Sequence, residues 1–217
     1  MNKPSDYYQR KRKELTIFIP KRYFKVLEIG CAEGNFRENL NQECEYWGVE
    51  PFAAAAEVAM KKLDKVLVGT YQEIKNSLPK YYFDLVICND VIEHMVDPDE
   101  FFQTIKEYIN KDGCLVGSIP NVRYISNLFR LLMKKDWKYT DQGILDDTHL
   151  RFYTEKSLKR TISENGFVIE QFQGINPYRT GAISLKIFFE KCLYYFTILI
   201  YGMDIKFKMF GFRIRCK

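Results

Sequence analysis

An apolar run that stops on a glycine, followed by a second run that stops on a carboxylate, constrains this chain more than any other feature. Val26-Leu27-Glu28-Ile29-Gly30 reads as a buried strand that delivers Gly30 into a loop, Cys31–Asn35, and Phe36–Asn41 reads as the helix beyond it. A residue without a Cβ at that turn lets backbone approach a ligand closely. Twenty residues past Gly30, a second strand, Tyr46–Glu50, ends on an acid placed to accept hydrogen bonds from ribose hydroxyls. In open α/β sheets ligands bind at the carboxyl ends of strands, so turn and acid together predict a nucleoside crevice.

The alternation continues downstream. Ala53–Leu63, rich in alanine, predicts a helix, and Lys65–Gly69 a third strand, with a weak helix before Pro79. Phe83–Asn89 is nearly all apolar, as a strand covered on both faces should be. Asp97 is placed to cap a helix over Asp99–Ile109, and Cys114–Ile119 gives the fifth strand. Five strands separated by helices imply a parallel sheet with right-handed crossovers. After Asn121 the pattern breaks into a helix-like stretch, Ser126–Lys134, and a polar segment, Asp136–Arg151. It resumes with a helix at Glu155–Asn165 closed by Gly166, a strand at Phe167–Phe172, a helix at Leu185–Tyr201 and a strand at Phe210–Cys216. No linker separates two domains, so residues 1–217 read as one α/β domain with an insertion at about 121–153.

Composition excludes several classes. Hydrophobic residues make up 47% of the chain, enough to bury a core, and a net charge of +5 is too mild to establish nucleic-acid binding. The six cysteines form no C-x-x-C pair, and His94 and His149 lie far from any cysteine cluster, so the spacing predicts no zinc; a disulfide framework belongs to much smaller secreted chains, so all six read as reduced thiols of a cytoplasmic protein. Met1–Lys13 is charged and lacks the apolar centre of a signal peptide. Between Lys191 and Asp204 lie 12 apolar-rich residues, well short of the ~20 needed to cross a bilayer. Lys186, Lys191, Lys206, Lys208, Arg213 and Arg215 surround that stretch, so peripheral membrane contact through the C-terminal third stays open, as does a homodimer through Cys192–Met203.

The identity of the nucleoside follows from what the loop lacks. A dinucleotide site starting at Gly30 needs glycine at 32 and 35, where Ala32 and Asn35 stand, and no Arg or Lys sits at the helix start to hold a pyrophosphate. The pattern Glu28-x-Gly30-x-x-x-Gly34 resembles motif I of class I S-adenosylmethionine (SAM) dependent methyltransferases, with Ala32 at the middle glycine. Val49-Glu50-Pro51, Val68–Glu73 and Phe83–Met95 are similar to that family's ribose acid, adenine segment and fourth strand with its following loop, although Thr70 replaces the common Asp. The resemblance implies the Rossmann-like seven-stranded sheet, mostly parallel with an antiparallel last strand and helices on both faces. It also implies SAM as cofactor, leaving S-adenosylhomocysteine. The implied cofactor residues are Glu28, Gly30, Cys31, Ala32, Gly34, Asn35, Phe36, Glu50, Pro51, Thr70 and Tyr71, then Asn89, Asp90 and Val91 beside the methionine part, with Tyr8 and Arg12 closing over it.

The acceptor is narrowed by absence and by resemblance. Asn89-Asp90-Val91-Ile92 stands where amino-methylating enzymes of nucleic acids carry a Pro-Pro motif, and no Pro-Cys nucleophile follows the strand, so nucleic acid is disfavoured. Ile119–Val122 together with Asp146–Tyr153 resembles methyltransferases of bacterial surface-polysaccharide pathways, within a broader group related to ubiquinone-type O-methyltransferases. That implies an O-methyltransferase acting on a sugar or nucleotide-sugar, with a quinone or lipid-like acceptor as the alternative. Asn121, Tyr139, Arg151 and Tyr153 are the candidate acceptor residues. Tyr139, Tyr153 and Trp137 either stack on a sugar ring or form the core of the insertion.

Methyl transfer needs an acceptor held in line with the sulfonium and, for an alcohol, a base near neutrality. The two histidines, His94 and His149, are the candidates, with Asp147 placed to orient His149 and Arg151 to hold an anionic acceptor. Asp146, Asp147 and His149 are a sparse ligand set, so no metal is expected. A NAD-dependent dehydrogenase and a SAM-binding partner subunit without turnover are the competing functions.

Overall fold

The computed structural model describes residues 8, 9, 11–178 and 197–217. In chain order its elements are β1 (Lys25–Ile29), β2 (Glu45–Glu50), α1 (Ala53–Ala59), β3 (Lys65–Val68), α2 (Tyr71–Ile74) and β4 (Phe83–Asn89), followed by α3 (Pro98–Ile105), β5 (Ile109–Pro120), α4 (Ile125–Met133), α5 (Glu155–Glu164), β6 (Phe167–Pro177) and β7 (Phe207–Cys216). The seven strands form one sheet in the order β3-β2-β1-β4-β5-β7-β6. The first five run parallel, and β7 lies antiparallel between β5 and β6. The strand order reverses between β1 and β4, which opens a crevice above their carboxyl ends.

Successive side chains of a strand face opposite sides, so a strand covered on both faces must be apolar throughout. In β4, Phe83, Val86 and Cys88 join the core under α3 and α5, where Phe101, Phe102, Ile105, Leu158 and Ile162 pack. Leu85 and Ile87 point the other way, into a second core with Ala59 and Leu63 from α1 and its end, and with Leu15, Phe18 and Phe36. Helices thus cover both faces, but the second face relies on short 3-10 turns, Lys13–Phe18 and Asn35–Asn39, as well as on α1.

Several expected elements differ in extent. The helix expected over Phe36–Asn41 is the 3-10 turn Asn35–Asn39, because the Arg37 guanidinium gathers the carbonyls of Asn41, Gln42 and Cys44 and bends the chain away. The helix expected to reach Leu63 leaves α geometry at Ala59. Lys61 bonds back only to Val58 and Lys62 only to Ala59, which tightens the end before the descent to β3. Asp97 does cap α3, accepting from the Glu100 amide at 2.9 Å, but that helix stops at Ile105. β6 and β7 outrun their expected bounds because they pair with each other from Phe167↔Cys216 to Pro177↔Phe207. Of the helix expected at Leu185–Tyr201, residues 185–196 lie outside the described residues, and 197–201 are helical.

The segment between β5 and α5 is tied off at its base by a bridge between Asn121 and Tyr153, and a second bridge, Thr140 to Asp146, closes the loop within it. Ile87 is fully buried in the middle of the sheet. Ile87→Ala should cost about 2–5 kcal/mol of stability in urea unfolding, and a loss below about 1 kcal/mol would contradict this packing.

Candidate functional site

A cavity of about 800 Å³ opens over the carboxyl ends of β1, β2 and β4, within the range of small-ligand sites. Its floor is the glycine loop. Gly30 has φ +71°, and a Cβ there would lie 2.5 Å from Val91 Cγ2, so only glycine satisfies both the turn and the packing. Ala32 holds the left-handed region at φ +48°, a conformation that costs a non-glycine residue about 1–2 kcal/mol. Its amide is the return: it donates to Glu50 Oε2 at 2.9 Å. Glu50 Oε1 accepts from the Phe52 amide at 2.9 Å, so both oxygens are anchored while each keeps a further acceptor site. Burial raises the Glu50 carboxyl above its usual range, against the opposing pull of those two amides.

The remaining cofactor-side walls come from the next three loops. Tyr8 stacks on Phe52 at the cavity rim, ring centroids 5.1 Å apart. Thr70 starts α2 with a capping box, Glu73 Oε2 accepting from the Thr70 amide at 2.7 Å, which aims Tyr71 inward. Asn89, at the end of β4, lines the cavity with neither side-chain amide atom hydrogen-bonded among the described residues. Asp90 accepts from Ser118 Oγ at 2.6 Å and forms an ion pair with Arg12, which draws the N-terminal segment over the crevice.

On the far side of the cavity stand Glu93, His94 and His149. His149 Nδ1 lies 3.0 Å from the Ile144 carbonyl, an acceptor only, so Nδ1 carries a proton. Its Nε2 lies 3.9 Å from Glu93 Oε1. His94 Nδ1 likewise donates to the Thr148 carbonyl at 3.1 Å, and the two imidazoles meet edge to face at 4.7 Å. Burial lifts the Glu93 carboxyl to about 8, with Arg12 pulling the other way. Glu28, also buried and holding the Tyr46 hydroxyl at 2.7 Å, is lifted to about 8 by burial as well.

The methyltransferase domain family model matches residues 5–171. This chain belongs to that family. The methyltransferase is 28% identical over 167 residues to the mitochondrial ubiquinone biosynthesis O-methyltransferase of Schizosaccharomyces pombe, covering 71% of this chain and 60% of the relative. It is 25% identical over 165 residues to the ubiquinone biosynthesis O-methyltransferase of Azorhizobium caulinodans, covering 72% and 63%. The chain therefore spans about three fifths of the length of these relatives. Its fold matches a SAM-dependent methyltransferase of Archaeoglobus fulgidus, with a TM-score of 0.62, 20% identity and coverage of 96% and 92%. It also matches one of Aquifex aeolicus, with a TM-score of 0.59, 14% identity and coverage of 97% and 92%.

SAM is the cofactor of the methyltransferase, and the residues present fit it. Seven carboxylates line the cavity against two cationic side chains among the described residues, Arg12 and Lys208. That balance favours a sulfonium with an ammonium group and disfavours a pyrophosphate, so the dinucleotide alternative fails on charge as well as on Ala32 and Asn35. The unpartnered Asn89 amide is a ready contact for the methionine portion.

Of the cofactor residues expected from sequence, fourteen of sixteen line the cavity; Gly34 and Asn35 do not. Gly34 instead lets the loop pass over Leu63, and Asn35 accepts from Lys62 Nζ at 2.6 Å. The acceptor side differs more. Asp147 is exposed and outside the cavity, whereas Asp146 is buried and lines it, accepting from the Thr148 amide and hydroxyl at 2.9 and 2.6 Å. An Asp two residues before a Thr is the signature of that turn and distinguishes the two acids. Asn121 is buried structure, donating to the carbonyls of Asp204 and Phe207. Tyr153 sits in the core beneath α3 and α5, Arg151 donates to the Leu150 and Val96 carbonyls, and Tyr139 leans on Phe152 outside the cavity. Their place is taken by Met95, Val96, Ile144 and Met209.

Sequence reasoning did not select Glu93, although it stands beside His94 in the loop after β4. With His94 and His149 it brings three ligand atoms within 4.8 Å of one another, a mixed nitrogen and oxygen set open to a divalent cation. This is a different group from Asp146, Asp147 and His149, on which the expectation of no metal rested.

Glu28 and Glu93 bind a proton more tightly when folded, at about 8, than when unfolded, near 4.5. Their contribution is therefore full below pH 4.5 and is lost as pH rises through 8. Thermal stability of the ligand-free protein should fall across that window, and Glu28→Gln, which keeps an acceptor for Tyr46, should flatten the fall. An unchanged slope would refute the assignment.

Proposed function

We propose that this chain is a SAM-dependent O-methyltransferase acting on the hydroxyl of a small phenolic or quinol-type acceptor. The observation that carries the reading is that one cavity holds both the Glu50-anchored loop and the His149 imidazole. Bound SAM, held by the Glu50-anchored loop and Asn89, would supply the methyl group to an acceptor hydroxyl placed in line with it, and His149 Nε2 would take the hydroxyl proton. Glu93 Oε1 lies 3.9 Å from that same Nε2, and in its ionised form it favours the imidazolium that forms.

Two features support a phenol over a sugar. A phenolic hydroxyl, with a pKa near ~10, yields its proton to an imidazole far more readily than an aliphatic alcohol does. The cavity wall contributed by Met95, Val96, Ile144 and Met209 is apolar, while Trp137 and Tyr139 pack on Phe152 instead of offering a sugar platform. The names of the relatives, ubiquinone biosynthesis O-methyltransferases, point the same way. The glycan acceptor expected from sequence draws no such support.

Mass spectrometry after incubation with SAM should show a methyl gain on catechols and quinols and none on nucleotide-sugars. Gain on nucleotide-sugars alone would overturn the acceptor class. S-adenosylhomocysteine binding without turnover on any acceptor would favour the partner-subunit reading. His149→Ala should lower kcat by about 10²–10⁴ while leaving S-adenosylhomocysteine affinity nearly unchanged. Glu50→Ala should do the reverse, weakening the thermal shift that S-adenosylhomocysteine produces.

A further inference from the structure

The outer flank of α4 leaves its apolar side chains uncovered. Phe129, Leu132 and Met133, spaced to share one side of the helix, are 53%, 56% and 68% exposed. A second exposed group, Leu199, Ile200 and Met203, adjoins the start of this helix. Arg123 joins the two, donating to the Tyr201 carbonyl and pairing with Asp204 at 2.8 Å. Surface hydrophobics normally occur singly, and clusters of this kind mark an interaction surface.

The charge around the cluster identifies what it fits. Arg130, Lys134, Lys135 and Lys138 fall within nine residues at the end of α4, against one acid, Asp136, and none of the four forms an ion pair with a described residue. An apolar strip edged by lysines is the composition of helices that lie in a lipid interface, where lysine stems run along the apolar layer and the ammonium groups reach the headgroups. A second copy is a poor occupant. A two-fold contact sets the same patch against itself, so it would bring two such groups of four cations together. Anionic headgroups neutralise them instead. No helix among the described residues is long and apolar enough to cross a membrane, so the contact is with the surface.

We propose that the outer flank of α4, with residues 199–203, docks this protein on an anionic lipid bilayer. α4 leads into the connection that carries Ile144, Asp146 and His149, which line the cavity; the docking itself does not depend on the phenolic acceptor reading.

The test is co-sedimentation of the full chain with vesicles of phosphatidylcholine, with and without phosphatidylglycerol. Binding should require phosphatidylglycerol and should weaken as salt rises. The triple variant Phe129→Ser, Leu132→Ser, Met133→Ser should lose most of the bound fraction, and Lys134→Glu with Lys135→Glu should abolish the preference for phosphatidylglycerol. A retained thermal shift with S-adenosylhomocysteine shows that each variant is folded, and failure of that shift in the parent protein would count against the enzyme reading alone. Equal sedimentation of parent and variants, or no binding to either vesicle, overturns the proposal. So does a dimer in sedimentation velocity that the triple variant dissociates, which would give the patch to a second copy.

Discussion

The carboxylate of Glu50 holds the crevice together. It is fixed by two backbone amides, Ala32 in the loop after β1 and Phe52 in the turn after β2, so a single side chain sets the distance between two strands' outgoing loops. Both bonds are charge-assisted when the group is ionised and are shielded from water, where such bonds are strongest. The left-handed strain at Ala32 is tolerable for the same reason, since the conformation that costs energy is the one that aims its amide at Glu50. Gly30 completes the arrangement by letting Val91, from the loop after β4, close against the turn.

Around that anchor the cavity concentrates carboxylates whose burial keeps them short of full ionisation. Glu28 and Glu93, both lifted to about 8, face a cavity with few cations to offset them. A ligand carrying a sulfonium supplies the missing positive charge and favours their ionised forms, so recognition comes from the whole field as well as from single contacts. The same field weakens any case for a phosphate-bearing cofactor.

The architecture was legible because burial on both faces writes itself into a strand as an unbroken apolar run, as in Phe83–Asn89, and because a glycine turn followed by an acid at strand phase has one natural use. The cofactor side was legible for the same reason: Gly30, Glu50, Asn89 and Asp90 all sit at strand ends, where position along the chain determines position in space. The acceptor side lacks that rule. Between Asn121 and Tyr153, only α4 has regular periodicity to show which side chains turn inward, so Tyr153, Asn121 and Arg151 looked like ligands and prove to be a core residue, a buried brace and a surface tie. Asp146 and Asp147 differ only in which one the local turn consumes, and Glu93 was hidden because a charged residue is rarely fully buried without a partner.

The division between the two sides has a structural cause. The cofactor loops grow from parallel strands locked by the core, whereas the acceptor wall is a long connection held at few points. One is the bridge of Asn121 to Tyr153; another is the Glu93 carbonyl, which accepts from the Leu150 and Arg151 amides at 2.8 and 3.0 Å. That second tie matters most, because it fastens the loop bearing His149 to the residue whose carboxylate faces the same imidazole. Changes of sequence between Lys134 and Leu145 can therefore reshape that wall of the cavity while His149 keeps its place relative to Glu93. A fold arranged this way can keep the crevice over the strand ends constant while the long connection varies, so what the cavity admits on that side is set by the connection and not by the sheet.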